Sequence, residues 1–323
     1  QSCRIELHCA HGTISFKFVF VKGASADREQ IDYGLGAAVL ALALWSGTAI
    51  ATKVAVAYMS GLTAGVLRSM LAGVAAMVIA LMFRLPRPST GTDRFLLIVS
   101  GLASFAVWPA LMSVGIERTT VSHAAIIMAM IPVFTVLITH TVERRLPQPG
   151  WWLGAAAALV ATVILVMDQG SNSTSSMAGA TVAGDLIVLT GCMVCALGYV
   201  AGGKLSGKIG SVATTFWGLA LALFLLVPVF AFVATDTSWS DVPAEGWLAI
   251  GWMTILSSLA GYGLWYYALA KAGIAKIGSL QLAVPAVTIV AAALVLGEAI
   301  TTKIAFATVV IIAGTWWAHS RAS

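Results

Sequence analysis

Thr119–Glu143 reads TTVSHAAIIMAMIPVFTVLITHTVE, and Ala272–Glu298 reads AGIAKIGSLQLAVPAVTIVAAALVLGE. Each stretch is an apolar run of membrane-spanning length that carries one proline and is closed by a glutamate. Pro132 and Pro285 stand 153 positions apart, and Glu143 and Glu298 stand 155 apart. The residues before the runs also align, Arg118 with Lys271 and His123 with Lys276. The spacing predicts one structural unit written twice, with function where the copies meet.

Composition sets the solvent. Of 323 residues 59% are hydrophobic and 10% charged, and the mean hydropathy is +0.95. A water-facing domain carries about a quarter charged residues, so the chain reads as an all-α integral membrane protein whose main partner is the lipid bilayer. The net charge of +5 does not point to nucleic acid, because the basic residues cluster in short loops between apolar runs, as membrane topology dictates.

Outward from the repeat, apolar runs fall at 33–56, 61–83, 95–116, 119–142 and 151–167, then at 182–201, 212–234, 247–268, 274–296 and 301–319. A spanning helix needs about 17–25 apolar residues, and the runs lack the alternation of barrel strands. Ten transmembrane helices are expected, split into two fives (33–167 and 182–319) by the Ser- and Asn-rich stretch at 168–176. Residues 1–32 do not match the rest and are expected to be a poorly ordered or mis-started tail.

Orientation follows the Lys and Arg residues. With both termini cytoplasmic, Arg84, Arg87, Arg94, Arg144, Arg145, Lys204, Lys208, Lys271 and Lys276 fall inside, whereas the outside loops hold Arg118 and Lys303. An odd number of helices per unit then makes the copies inverted repeats about a central cavity. In transporters built this way the substrate site lies near the midplane, between the repeats.

The repeat residues resemble the EamA family of the drug/metabolite transporter superfamily. The resemblance rests on Leu44-Trp45-Ser46-Gly47, Arg68, Pro132-Val133-Phe134, Glu143-Arg144-Arg145-Leu146 and Gly154 in the first half. In the second it rests on Gly184-Asp185, Pro285, Gly297-Glu298 and Ala313-Gly314. It implies a basket of ten helices around a cavity lined by the first, third, fourth, sixth, eighth and ninth. It also implies outward movement of small metabolites, often amino acids, at a plasma or inner membrane. One departure is visible. Pro132 to Glu143 is 11 positions and Pro285 to Glu298 is 13. Read as a deletion, this turns the end of the fourth helix by about 200°.

The candidate site residues follow from cost. Arg68 is a charge inside a span, expensive unless functional; its alternative is an interfacial anchor. Lys53, at a helix end, is expected to snorkel. His123 and Lys276 are either gate residues at opposite ends of one pathway or ordinary interfacial residues. Trp45, Trp108 and Trp265 lie deep in their spans and, with Tyr199, Tyr262 and Tyr266, form the aromatic wall expected of a pocket for apolar or amphipathic solutes. Gln281 faces the cavity because an amide facing lipid is costly. Pro132 and Pro285 each free a carbonyl and kink a helix. No metal or cofactor is implied. Cys3, His8, Cys9 and His11 lack paired zinc spacing, and Cys192 and Cys195 read as packing on a buried helix.

The leading expectation is a secondary transporter that exports amino acids or related small metabolites by alternating access. A multidrug efflux protein for hydrophobic solutes is the alternative; a carboxylate-coupled pump of that kind would need a buried acid in its first helix, absent here. A membrane enzyme acting on lipid would need an interfacial cluster of nucleophiles and histidines, and none is found, so the chain is read as a non-enzyme. A second copy, in a homodimer, is the remaining partner considered.

Overall fold

In the computed structural model the described residues are 2–10, 13–21, 24–144, 149–167, 180–272 and 284–320. Two strands lie within the segment expected to be a tail. Strands β1 (Ser2–Ala10) and β2 (Thr13–Val21) pair antiparallel, with Ser2 opposite Val21 and Ala10 opposite Thr13. The β-branched and aromatic alternation of TISFKFVFV favours a strand.

Helices follow: α1 (Ala24–Ala55), α2 (Gly61–Met82), α3 (Gly91–Glu117), α4 (Val121–Glu143), α5 (Pro149–Met167), α6 (Val182–Ile209), α7 (Ser211–Val233), α8 (residues 244–272), α9 (Val284–Leu296) and α10 (Thr302–Ser320). Among the described residues, seven helices are long and apolar enough to cross a membrane. Shorter apolar helices, Pro149–Ile164, Val284–Leu296 and Thr302–Gly314, occupy the other three expected positions. Their outward faces are apolar, with Phe232 and Leu294 more than four-fifths exposed, as lipid-facing side chains must be.

Short polar turns start the helices by capping them. Ser60, Thr90, Thr120 and Thr181 each accept a bond from the backbone N–H three residues on, at 3.0–3.2 Å, satisfying a donor that the first turn leaves without a partner. Packing is reciprocal between the halves: α2 lies on α7, α5 on α10 and α4 on α9, while α1 on α8 is matched by α6 on α3.

Three helices are irregular. In α4 the turn at Ala129–Met130 tightens, Ala129 and Met130 bonding back to the carbonyls of Ile126 and Ile127 at 3.1 and 3.0 Å, because Pro132 has no N–H with which to continue the ladder. In α3 and α8, the third helix of each half, the backbone widens to a π-helix at Gly101–Val107 and Trp252–Gly261. Such π segments occur mostly at functional positions.

Candidate functional site

The irregular helices α3, α4 and α8 all contribute walls to one cavity. Its walls come from α1 (Trp45, Thr48), α2 (Arg68), α3 (Trp108, Met112), α4 (Met128, Ala129, Ile131, Pro132), α6 (Tyr199), α8 (Ser257, Tyr262) and α9 (Val284, Pro285). It holds about 730 Å³ of empty space, its open mouth included.

The aromatic walls are seated on glycines. The Trp45 indole lies over Gly261, where a Cβ would stand 2.6 Å from its Nε1, and the Trp108 ring lies over Gly191, where a Cβ would stand 3.0 Å away. Trp45 Nε1–H donates to the Ser257 carbonyl at 3.0 Å, which spends its only polar group and leaves the ring for packing. Tyr262 meets Trp45 and Phe105 edge-on, with centroids at 5.2 and 5.4 Å. The Thr48 hydroxyl donates to Ser257 Oγ at 2.8 Å.

Arg68 is the cation of the wall. It is 6% exposed. Its Nη1 approaches the Met253 sulfur at 3.5 Å, and its Nε is buried without a hydrogen-bond partner. No acidic residue among the described residues lines the cavity. Arg68 therefore does not snorkel, the alternative its position near the start of α2 allowed.

A polar network ties helix ends together one to two turns beyond the cavity on α1, α3 and α4. Lys53, 4% exposed, donates to the carbonyls of Ile116 and Thr119 at 2.9 and 2.6 Å, the negative end of α3. This corrects the snorkelling expectation: the ammonium is held by backbone oxygens rather than by the interface. Glu117 accepts from the Gly61 N–H at 3.1 Å. Glu298 accepts from the N–H groups of Val121 and Ser122 at 2.7 and 2.9 Å, and from the Ser122 hydroxyl at 2.6 Å. Asp185 is fully buried; it accepts from the Thr119 hydroxyl and from His123 Nδ1, the latter at 2.9 Å.

Sequence reasoning and structure meet unevenly. Trp45, Arg68, Trp108, Pro132, Tyr199, Tyr262 and Pro285 come together around the cavity. His123 and Trp265 do not. His123 turns to Asp185 instead, and Trp265 packs with Ala38, Ala41 and Leu42 on α1 and against Trp45. Tyr266 falls on α8, while Lys276 and Gln281 lie outside the described residues. Met128 was missed although it has a signal, being the residue whose carbonyl Pro132 leaves free. Thr48, Met112 and Ser257 have none, since small polar and apolar residues on a membrane helix do not announce which neighbour they meet.

An apolar helical bundle with an internal cavity of mixed character defines a multi-pass membrane protein of the transporter class. Residues 32–167 and 182–319 each match the model of the EamA-like transporter family, and the chain belongs to that family. Relatives carry the same description. The "Uncharacterized transporter YdeK" of Bacillus subtilis is 31% identical over 79% of this chain and 86% of its own. The "Uncharacterized inner membrane transporter YedA" of Escherichia coli is 24% identical over 52% of each chain. A solved structure titled only "Crystal structure of protein" shares the fold, with a TM-score of 0.58 at 18% identity over 90% of this chain and 96% of its own.

Proposed function

We propose that the chain exports amino acids or related small metabolites across the plasma or inner membrane by alternating access, with ten spans arranged as two inverted five-helix repeats and both termini cytoplasmic. The cavity carries this reading. It lies between the halves, takes walls from both, and contains both helix-breaking prolines. The reciprocal packing supports the repeat: α2 pairs with α7 and α5 with α10, and the α1–α8 contact is matched by α3–α6, as a pseudo-twofold relation between the halves would require. In the same reading the network of Lys53, Glu117, His123, Asp185 and Glu298 is the closed outer end of the pathway. Opening it requires the Glu298 carboxylate to leave the α4 N-terminus.

Counterflow in proteoliposomes tests the proposal. Protein loaded with unlabelled amino acids should exchange labelled ones, and Trp108→Ala should cut that rate by about tenfold, a loss of roughly 1.4 kcal/mol in transition-state stabilisation, without lowering yield. No exchange with any carboxylate metabolite would overturn it. The aromatic walls also favour a second reading, efflux of hydrophobic solutes. Cells overproducing the protein would then gain resistance to lipophilic compounds, whereas a metabolite exporter leaves their sensitivity unchanged.

A further inference from the structure

We infer that Arg68 is the seat of a solute carboxylate, and that the solute class is an apolar or aromatic monocarboxylate whose amino group, where it has one, no acid reads. This rests on the transport reading and names its substrate. The guanidinium lines the cavity, is 6% exposed, and has a buried Nε without a partner. At Nη1 it has a thioether 3.5 Å away, a weak acceptor. A desolvated charge is costly unless it is paired. Among the described residues the walls offer no carboxylate, so the pair arrives with the solute. A planar fork of donors matches a carboxylate through two parallel bonds.

The rest of the wall sets the body of the solute. Trp45, Trp108, Met112 and Tyr262 present aromatic and thioether surface, suited to a branched aliphatic or aromatic group. An ammonium finds only neutral acceptors, such as the Thr48 and Ser257 hydroxyls, which already bond each other at 2.8 Å. The site therefore recognises the carboxylate and tolerates the amine. A 2-oxo acid should bind at least as well as the amino acid of the same skeleton, and the amine lacking the carboxylate should bind poorly.

Trp45 and Trp108 provide the readout, because both indoles line the cavity. Purified full-length protein is titrated with 4-methyl-2-oxopentanoate, leucine and 3-methylbutylamine, an anion, a zwitterion and a cation of like bulk, while tryptophan fluorescence is followed. The same compounds are run in counterflow. The oxo acid should bind about tenfold or more tighter than the amine, the equivalent of ~1.4 kcal/mol. R68Q should erase that difference, and R68K, with the charge but not the fork, should retain part of it. Equal binding of all three, preference for the amine, or a preference that survives in R68Q overturns the assignment. Should R68Q not fold, the wild-type ranking decides alone. The two failures are separable. Counterflow that persists undiminished in R68Q leaves transport standing and removes the anchor. Absence of both binding and counterflow for all three compounds rejects the solute class, and the amino-acid counterflow screen then decides the transport reading.

Discussion

Glu143 and Glu298 look like the same residue in two copies, and at the scale of the residue they are not. Each fourth-in-repeat helix runs 12 positions from its proline to a left-handed residue, Arg144 with φ of 54° and Gly297 with φ of 69°. From proline to cap the two helices are thus equally long, and the deletion inferred from the proline-to-glutamate spacing does not exist. Glu143 stands before the left-handed turn, on the helix, and is exposed. Glu298 stands after it, and the turn aims its carboxylate at the first N–H groups of α4. A glycine makes that turn without strain. The sequence displayed the paired glutamates, but which side of a cap an acid occupies depends on backbone conformation. Glu298→Gln keeps an acceptor and removes the charge. Charge-assisted hydrogen bonds contribute about 1.5–3 kcal/mol, so the N-terminal turn of α4 should lose protection. Hydrogen exchange of a peptide covering Thr119–Ile126 should quicken by about tenfold, and an unchanged rate would show that Glu298 does not hold that end. His123 and Lys53 teach a related lesson. Both were legible as polar residues at helix ends, but their partners, Asp185 and the α3 carbonyls, come from other helices that periodicity does not name.

Among elements, the proline breaks were the most legible feature, because the missing N–H is a property of one residue. The structure adds where the break goes: Met128, Ala129, Ile131 and Pro132 all reach the cavity. The π-helical stretches of α3 and α8 were not legible, since GLASFAV and WMTILSSLAG have compositions that an α-helix accepts equally well. The choice is made by packing, where Gly101 and Gly218 let α3 and α7 approach closely. Two predictions belong here. Pro132→Ala restores a donor and should let α4 straighten. Thermal stability should hold or rise while the counterflow rate falls several-fold, so an unimpaired rate would make the proline a static kink. Gly191→Leu should push the Trp108 ring into the cavity. The variant should fold, bind solute at least tenfold more weakly by fluorescence titration, a cost of about 1.4 kcal/mol, and show a shifted Trp emission; wild-type affinity would mean that Trp108 is not part of the site.

For the whole molecule, the proposed mechanism depends on orientation, because inverted repeats require the halves to enter the bilayer from opposite sides. The positive-inside bias places the loop between α7 and α8 outside. That loop and the first turn of α8 hold Asp236, Asp241 and Glu245 and no basic residue, and Trp239 stacks on Trp247 with centroids 5.9 Å apart, where aromatic side chains favour the headgroup layer. Tyr58, at the end of α1, reaches the same loop: its hydroxyl donates to Glu245 at 3.0 Å, and that carboxylate beside it raises the phenol above its usual range. In the proposed orientation the end bearing Lys53, Glu117 and Glu298 is the outer end, and the Lys208–Asp93 pair, between the far ends of α6 and α3, lies toward the cytoplasm. Reporter fusions decide this. Alkaline phosphatase, active only outside the cytoplasm, should be active when inserted near Ser240 and inactive when fused after Ser320, and a fluorescent protein should give the reverse. Activity at both positions would mean an even number of crossings between them. The second half could then not return its last residues to the cytoplasm through three spans after Ser240, and the arrangement as two inverted five-helix repeats would be rejected.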